Sequence, residues 1–274
     1  MSFTFWQSTL LWLYAGVVLV WVIRYAVITW ALGKIDFLDP DSPRFEGSEP
    51  PLITAIVPAK DEESTLEGCL ESVARQSYPN LEILVVDDRS ADRTPEIARA
   101  FAEADPRARI LTLTELAPGW TGKTHALQVA AGEARGEWLW FLDADTRQAP
   151  DNLAIVLRYA LDHDAAMASL LLELRCETFW EKVVQPLAGI VLIQSFPLFV
   201  VNDPNRKLAF ANGQYILIRR DVYDAAGGHQ AVRDRFVEDI AMAEKVKALG
   251  MPIRVAVARG IGSTRMYASL DQIV

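Results

Sequence analysis

The sequence predicts an α/β fold, a mostly parallel sheet with helices on both faces, behind one N-terminal transmembrane helix. Three observations predict it. Short apolar runs that end in polar residues alternate with helical patterns. The apolar runs are nearly continuous rather than alternating, as strands covered on both faces require. Finally, residues 1–23 carry no charge at all.

The first element is residues 1–34. After Arg24 a second apolar stretch runs to Leu32, and at about 1.5 Å per residue this crosses a hydrocarbon core. A cleaved signal peptide fits poorly, since the segment has no basic start and its apolar part is too long. Trp6, Trp12, Trp21 and Trp30 suit a spanning helix with interfacial aromatics. Arg24 and Lys34 follow the segment, so the rest of the chain is expected on the cytoplasmic face of the cell's inner membrane. Residues 35–51, rich in Pro, Asp and Ser, read as a linker to a domain over 52–274.

Within that domain, strands are expected at 53–58, 82–88, 109–113 and 137–143. Between them, Leu66, Cys69, Leu70 and Val73 recur at helical spacing within 62–76, and 91–104 and 122–135 are helix-like. Ligands of such sheets bind beyond the carboxyl ends of the strands, which makes the polar strand ends the place for chemistry. The uncharged stretch 183–201 is interrupted by Pro186 and Pro197, which argue against a continuous span. It reads as an element lying on the bilayer or as a buried helix pair.

Composition narrows the function. The net charge of −9, from 27 basic and 36 acidic residues, argues against nucleic acid as a partner. It also means that an anionic substrate must meet a metal ion or a few local cations. Cys69 and Cys176 have neither disulfide-framework nor metal spacing and read as two reduced, buried thiols.

Three acidic clusters stand out: Asp87 and Asp88 closing one strand, Asp143 and Asp145 in FLDADT, and Glu238 and Asp239 at the start of an expected helix. Carboxylates gathered at one sheet edge repel one another unless a cation joins them. The D-x-D spacing suits Mg²⁺ or Mn²⁺ gripping a diphosphate, or else two ordinary turn and cap residues. Asp239 reads as a single general base, or the Glu238–Asp239 pair merely favours a helix N-terminus. GWTGKT at 119–124 is not a phosphate-binding P-loop, because the position that needs glycine is Ala117. Lys123 stays as a lone cation for a diphosphate, or a surface lysine. The three histidines show no mutual metal spacing.

In order, VPAKDEE (57–63), VVDDRSADRT (85–94), GWTGKTHAL (119–127), FLDADT (141–146), ANGQYILIRR (211–220), GGH (227–229) and VEDIAMAEKVK (237–247) resemble family 2 glycosyltransferases of GT-A fold. LRCETFWEK (174–182) and VNDPNRK (201–207) are similar to the hopene-associated members of a membrane-associated bacterial branch, which also holds carotenoid and ceramide glucosyltransferase-like enzymes.

The resemblance implies that Pro58, Ala59 and Glu62 line the nucleotide pocket, that Asp87 binds the base and that Asp88 shapes the ribose site. It implies that Asp143 and Asp145 hold the metal and diphosphate, that Gly213 and Gln214 flank the donor sugar, and that Asp239, beside Glu238, is the catalytic base. Processive relatives carry Q-x-x-R-W after the base. TRMY stands at 264–267 instead, which favours transfer of one sugar and leaves Arg265 to reach the diphosphate. Relatives of this type continue into further membrane helices, a region expected to be absent from a chain that stops at Val274.

The expected function is inverting, metal-dependent transfer of one hexose from a UDP-sugar to a lipid hydroxyl at the cytoplasmic membrane face. Two alternatives are a sugar-phosphate nucleotidyltransferase, for which VPAKDEE lacks the glycine- and arginine-rich loop, and a non-catalytic membrane scaffold.

Overall fold

The computed structural model describes residues 5–266, and the chain divides into two compact units, Met1–Ile35 and Asp36–Val274. The first unit is helix α1 (Phe5–Leu32), which buries none of its side chains and is long and apolar enough to cross a membrane.

The second unit alternates strand and helix. It opens with β1 (Phe37–Leu38), β2 (Ile53–Ala59), α2 (Leu66–Ala74), β3 (Leu81–Asp88), α3 (Thr94–Ala104), β4 (Ala108–Leu113) and α4 (Gly122–Glu133). Next come β5 (Trp138–Leu142), β6 (Thr146–Gln148), α5 (Asn152–Asp162), β7 (Met167–Leu171), β8 (Glu173–Leu174), α6 (Phe179–Ser195) and α7 (Leu198–Val201). The described part closes with β9 (Tyr215–Arg219), α8 (Arg220–Ala225), a 3₁₀ turn (His229–Val232), α9 (Glu238–Ala248), β10 (Ile253–Ala258) and β11 (Gly262–Thr264).

The main sheet has eight strands in the order β1-β10-β7-β9-β5-β2-β3-β4, and only β9 runs antiparallel to its neighbours. β3 is buried along its whole length and β5 likewise, which is why both read as unbroken apolar runs. Pro58 is tolerated in a central strand because β2 pairs with β5 only over Ile53–Ile56, so the proline falls beyond that shared stretch. Helix starts follow local chemistry: Thr121 accepts the Thr124 N–H at the start of α4, and Pro95 occupies the first turn of α3. A second, three-stranded sheet, β6-β11-β8, adjoins the D-x-D loop through β6.

Two expectations change. Stretch 35–51 is more than a linker: β1 pairs in parallel with β10, and the Phe45 N–H donates to the Ala154 carbonyl at 2.9 Å while its ring packs on the core. A two-residue strand has no periodicity to read. The stretch 183–201 breaks only at its second proline, for α6 continues through Pro186 and ends before Pro197. The start of α6 is fixed by a capping box in which Thr178 and Glu181 satisfy each other's backbone N–H groups, offsetting part of the loss at Pro186. Nor is α6 a buried helix: Leu187 is 59% and Val191 63% exposed, whereas Leu198 and Val201 of α7 are buried.

Candidate active site

The site lies where the parallel strands end. β2 delivers Pro58 and Ala59, β3 delivers Asp87 and Asp88, and β5 leads into Asp143-Ala144-Asp145. Because β9 is antiparallel, its beginning rather than its end reaches this edge, bringing Gly213 and Gln214 alongside.

A cleft of about 550 Å³ is lined by Pro58, Ala59, Glu62, Asp88, Lys123, Asp143 and Asp145, together with Lys60 and Arg89. Asp87 is not in its wall. That carboxylate is buried and its Oδ1 accepts the Ser90 N–H at 3.2 Å, so the cleft meets Asp88 and Arg89 instead. Arg89 clasps Asp88 through Nε at 2.7 Å and Nη2 at 3.0 Å and has φ +59°, a left-handed backbone a non-glycine residue seldom adopts. The preceding loop is tied to this one, since Ser90 Oγ accepts the Asp61 N–H and Asp61 Oδ1 accepts the Ala91 N–H at 2.7 Å. Gly122 is required here: a Cβ would lie 2.5 Å from Asp88 Oδ2.

Lys123 is neither lone nor a free surface cation. Its Nζ lies 2.8 Å from Asp143 Oδ1 and 3.1 Å from Glu238 Oε1, joining the D-x-D motif to the Glu-Asp pair. Burial works against the ammonium charge, but the two carboxylates outweigh it and hold Lys123 above its ordinary pKa.

Asp239 is fixed by two backbone donors, Gly213 N at 2.7 Å and Ile240 N at 2.8 Å. Burial, then the neighbouring Glu238, raises its pKa, with the N–H donors and Lys123 opposing. A carboxylate so shifted is a better proton acceptor than a free aspartate, because its basicity moves toward neutral pH.

Asp145 Oδ2 accepts the Thr264 hydroxyl at 3.0 Å, and Thr264 Oγ1 accepts the Gln214 side-chain N–H at 3.3 Å. Gln214 is held in turn by Asn212 at 3.0 Å. Burial, with Asp143 and Glu62 adding like charge, pushes Asp145 up to about 6. Its Oδ1 is buried without a partner among the described residues.

That orphaned oxygen is the fit test for a divalent cation. No three His, Cys, Asp or Glu side chains form a metal cage among the described residues. Mg²⁺ and Mn²⁺ need none, since such ions bind through one or two carboxylates and complete their shell with water and substrate phosphate. Asp145 offers a free buried oxygen and Asp143 stands two residues away with Oδ1 on Lys123, so the donor set fits.

Arg265 does not sit free for a diphosphate. It pairs with Glu177 at 2.8 Å and with the fully buried Glu181 at 3.2 Å, tying β11 to the start of α6. Tyr267 of TRMY lies outside the described residues. The sequence reading missed Thr264, Asn212 and Arg89; Thr264 stood inside the quoted TRMY, and its β-pairing with Thr146 beside the D-x-D motif is the signal that was not legible.

The chain belongs to glycosyl transferase family 2, whose profile matches residues 54–227. The 4,4'-diaponeurosporenoate glycosyltransferase of Staphylococcus aureus (strain MRSA252) is 26% identical over 218 residues, covering 78% of this chain and 56% of the relative. The chain therefore spans about half the length of the curated relatives it matches. The fold is GT-A: the mannosyltransferase PcManGT from Pyrobaculum calidifontis, in complex with GDP-Man and Mn²⁺, superposes with TM-score 0.61 and 25% identity, over 86% of this chain and 63% of that one. Glucosyl-3-phosphoglycerate synthase from Mycobacterium tuberculosis, with Mn²⁺ and UDP-glucose, shares the fold at TM-score 0.57 and 19% identity, over 87% and 81% of the two chains.

Proposed function

We propose that this protein is an inverting glycosyltransferase that moves a single hexose from a UDP-sugar to a lipid hydroxyl at the cytoplasmic face of the membrane. The observation that carries the reading is the Lys123 bridge, which joins Asp143 of the D-x-D motif to Glu238, the neighbour of the candidate base. Relatives support the substrates: one acts on 4,4'-diaponeurosporenoate, a lipid-type acceptor, and neighbours of the same fold bind UDP-glucose or GDP-mannose with Mn²⁺. Helix α1 and the exposed apolar side of α6 support a membrane setting, with residues 1–34 as anchor and the GT-A domain beyond.

In this mechanism, the cleft beside Pro58, Ala59, Glu62 and Asp88 takes the nucleotide, while Asp87 stays buried and holds the Ser90 N–H of the turn after β3. Gly213 and Gln214 border the donor sugar. Asp239 accepts the proton of the acceptor hydroxyl as that oxygen bonds to the anomeric carbon, from the face opposite the leaving diphosphate. The Gly213 and Ile240 N–H groups keep the Asp239 carboxylate in place, Lys123 ties its neighbour Glu238 to Asp143, and Arg265 braces β11 against α6. A Mg²⁺ or Mn²⁺ ion held by Asp145 and Asp143 would supply charge stabilisation to the departing nucleoside diphosphate.

The test is product analysis of the membrane-embedded protein given UDP-hexoses, Mn²⁺ or Mg²⁺ and a lipid extract. The reading requires UDP and a new glycolipid in equal amounts. Pyrophosphate as product would assign a nucleotidyltransferase, and no turnover with any metal would assign a scaffold.

A further inference from the structure

A second cavity, of about 610 Å³, shares Glu62 and Asp145 with the donor cleft but is otherwise built by different residues. Two strands of the small sheet border it, with Arg147 from β6 and Thr264 ending β11, and Arg175 comes from just after β8. It therefore meets the candidate metal motif from the side of the β6-β11-β8 sheet.

The cavity's cations divide into two kinds. Arg265 is neutralised by Glu177 and Glu181. Arg147 and Arg175 have no carboxylate partner among the described residues, in a chain with nine more acidic than basic side chains. Arg147 is half-buried and held in place. Its Nη1 donates to the Thr146 carbonyl at 2.9 Å, and its guanidinium lies so close to α2 that a Cβ on Gly68 would meet Nε and Nη2 at 2.6 Å. A glycine has made room for a guanidinium that no carboxylate among the described residues claims. The backbone of Arg175 is fixed too, its N–H donating to the Thr264 carbonyl at 2.8 Å, while its side chain stays exposed.

The placed guanidinium of Arg147 and the exposed guanidinium of Arg175, neither with a carboxylate partner among the described residues, can together receive an anion with two or more oxygens. The anion would stand near the reaction. Thr264, in the cavity wall, accepts from Gln214, and the neighbouring Gly213 N–H holds Asp239. Asp145 also lies in that wall.

We propose that Arg147 and Arg175 form an anion subsite for a carboxylate or phosphate group on the acceptor, making the protein selective for acidic lipids. This rests on the glycosyltransferase reading above, since only that reading gives the cavity an acceptor. The donor diphosphate presents the same oxygen chemistry, so the test must tell the two sources apart.

The full-length protein in detergent is titrated, without donor, with octyl phosphate, octanoate and octanol. UDP with Mn²⁺ is titrated separately. Wild-type protein should bind each anionic probe at least about tenfold tighter than octanol, and Arg147→Gln with Arg175→Gln should erase that preference while UDP affinity changes by less than about twofold. Arg147→Lys with Arg175→Lys should restore part of it by keeping charge without the bidentate fork. If the double glutamine variant melts at an unchanged temperature but weakens UDP as much as the alkyl anions, the arginines serve the diphosphate and the proposal falls. It falls equally if wild-type protein shows no preference for the anionic probes. Should Arg147→Gln disturb folding, Arg175→Gln alone decides, because that side chain is exposed. No sugar transfer is needed for this readout, so failure of the anion subsite and failure of the glycosyltransferase reading are seen separately.

Discussion

Replacing Asp145 by asparagine should make the metal-free protein more stable at neutral pH. Asp145 titrates at about 6 instead of 3.8 because burial, with Asp143 and Glu62 nearby, opposes its charge, and its Oδ1 has no partner among the described residues. The folded-state value exceeds the unfolded one, so the folded protein binds more protons between pH 4 and 6. Stability therefore falls as pH rises through that window, and the full cost is present above it. At about 1.4 kcal/mol per pKa unit, the difference of roughly two units corresponds to about 3 kcal/mol. Partial solvent access reduces this, and the asparagine keeps an acceptor for Thr264 but puts an unpaired N–H₂ where Oδ1 was, so a net gain of about 1–2 kcal/mol remains. For a domain of this size that raises the melting temperature by about 2–8 °C. Differential scanning calorimetry in EDTA at pH 7.5 and pH 4 measures it. The variant should melt higher at pH 7.5 and level with wild type at pH 4. A variant that melts lower at pH 7.5, or a difference that does not depend on pH, would refute the reasoning.

Two more predictions follow from particular contacts. Gly213→Ala places a Cβ 3.2 Å from Asp239 Oδ2 and 3.3 Å from Lys123 Nζ, so the carboxylate must shift; transfer should fall roughly tenfold in kcat with the fold intact by circular dichroism. Burial, reinforced by Lys123, drives His229 down to about 3, so the protein loses stability as pH falls below 6.5 toward 3, where the unfolded chain gains a proton that the folded one refuses. His229→Asn, which can still accept from the Tyr223 hydroxyl 2.8 Å away, should flatten that acid limb in urea titrations at pH 6.5 and 4.5.

The α/β array was legible because β3 and β5 are apolar from end to end and their polar ends are abrupt. Repeated βα units then dictated a parallel sheet and put the site at the carboxyl edge. Asp143, Asp145, Glu238 and Asp239 were visible as residue types at strand and helix ends, Gly213 and Gln214 only through the family resemblance, and the structure brings them to one place. Lys123 was visible as a cation but not as a bridge, because its partners lie in sequence at Asp143 and Glu238 and meet only when α4, β5 and α9 converge. Thr264 was obscured for the same reason: its role depends on three-residue strands too short for any period, and on register, Thr264 opposite Thr146. Residue type alone did not separate Asp87 from Asp88, and the resemblance gave Asp87 the nucleotide base. Only the turn after β3, with Arg89 at positive φ, decides which of the two faces the cleft.

The division of labour between metal motif and base is tested most directly by titrating UDP in the presence of Mn²⁺ against wild type, Asp145→Asn and Asp239→Asn, with sugar transfer measured on the same samples. UDP affinity should drop at least about tenfold for Asp145→Asn and on adding EDTA, yet stay within about twofold of wild type for Asp239→Asn, whose transfer rate falls by roughly 10²–10⁴. Loss of UDP affinity in Asp239→Asn as large as in Asp145→Asn, or transfer surviving in Asp239→Asn, would contradict the account.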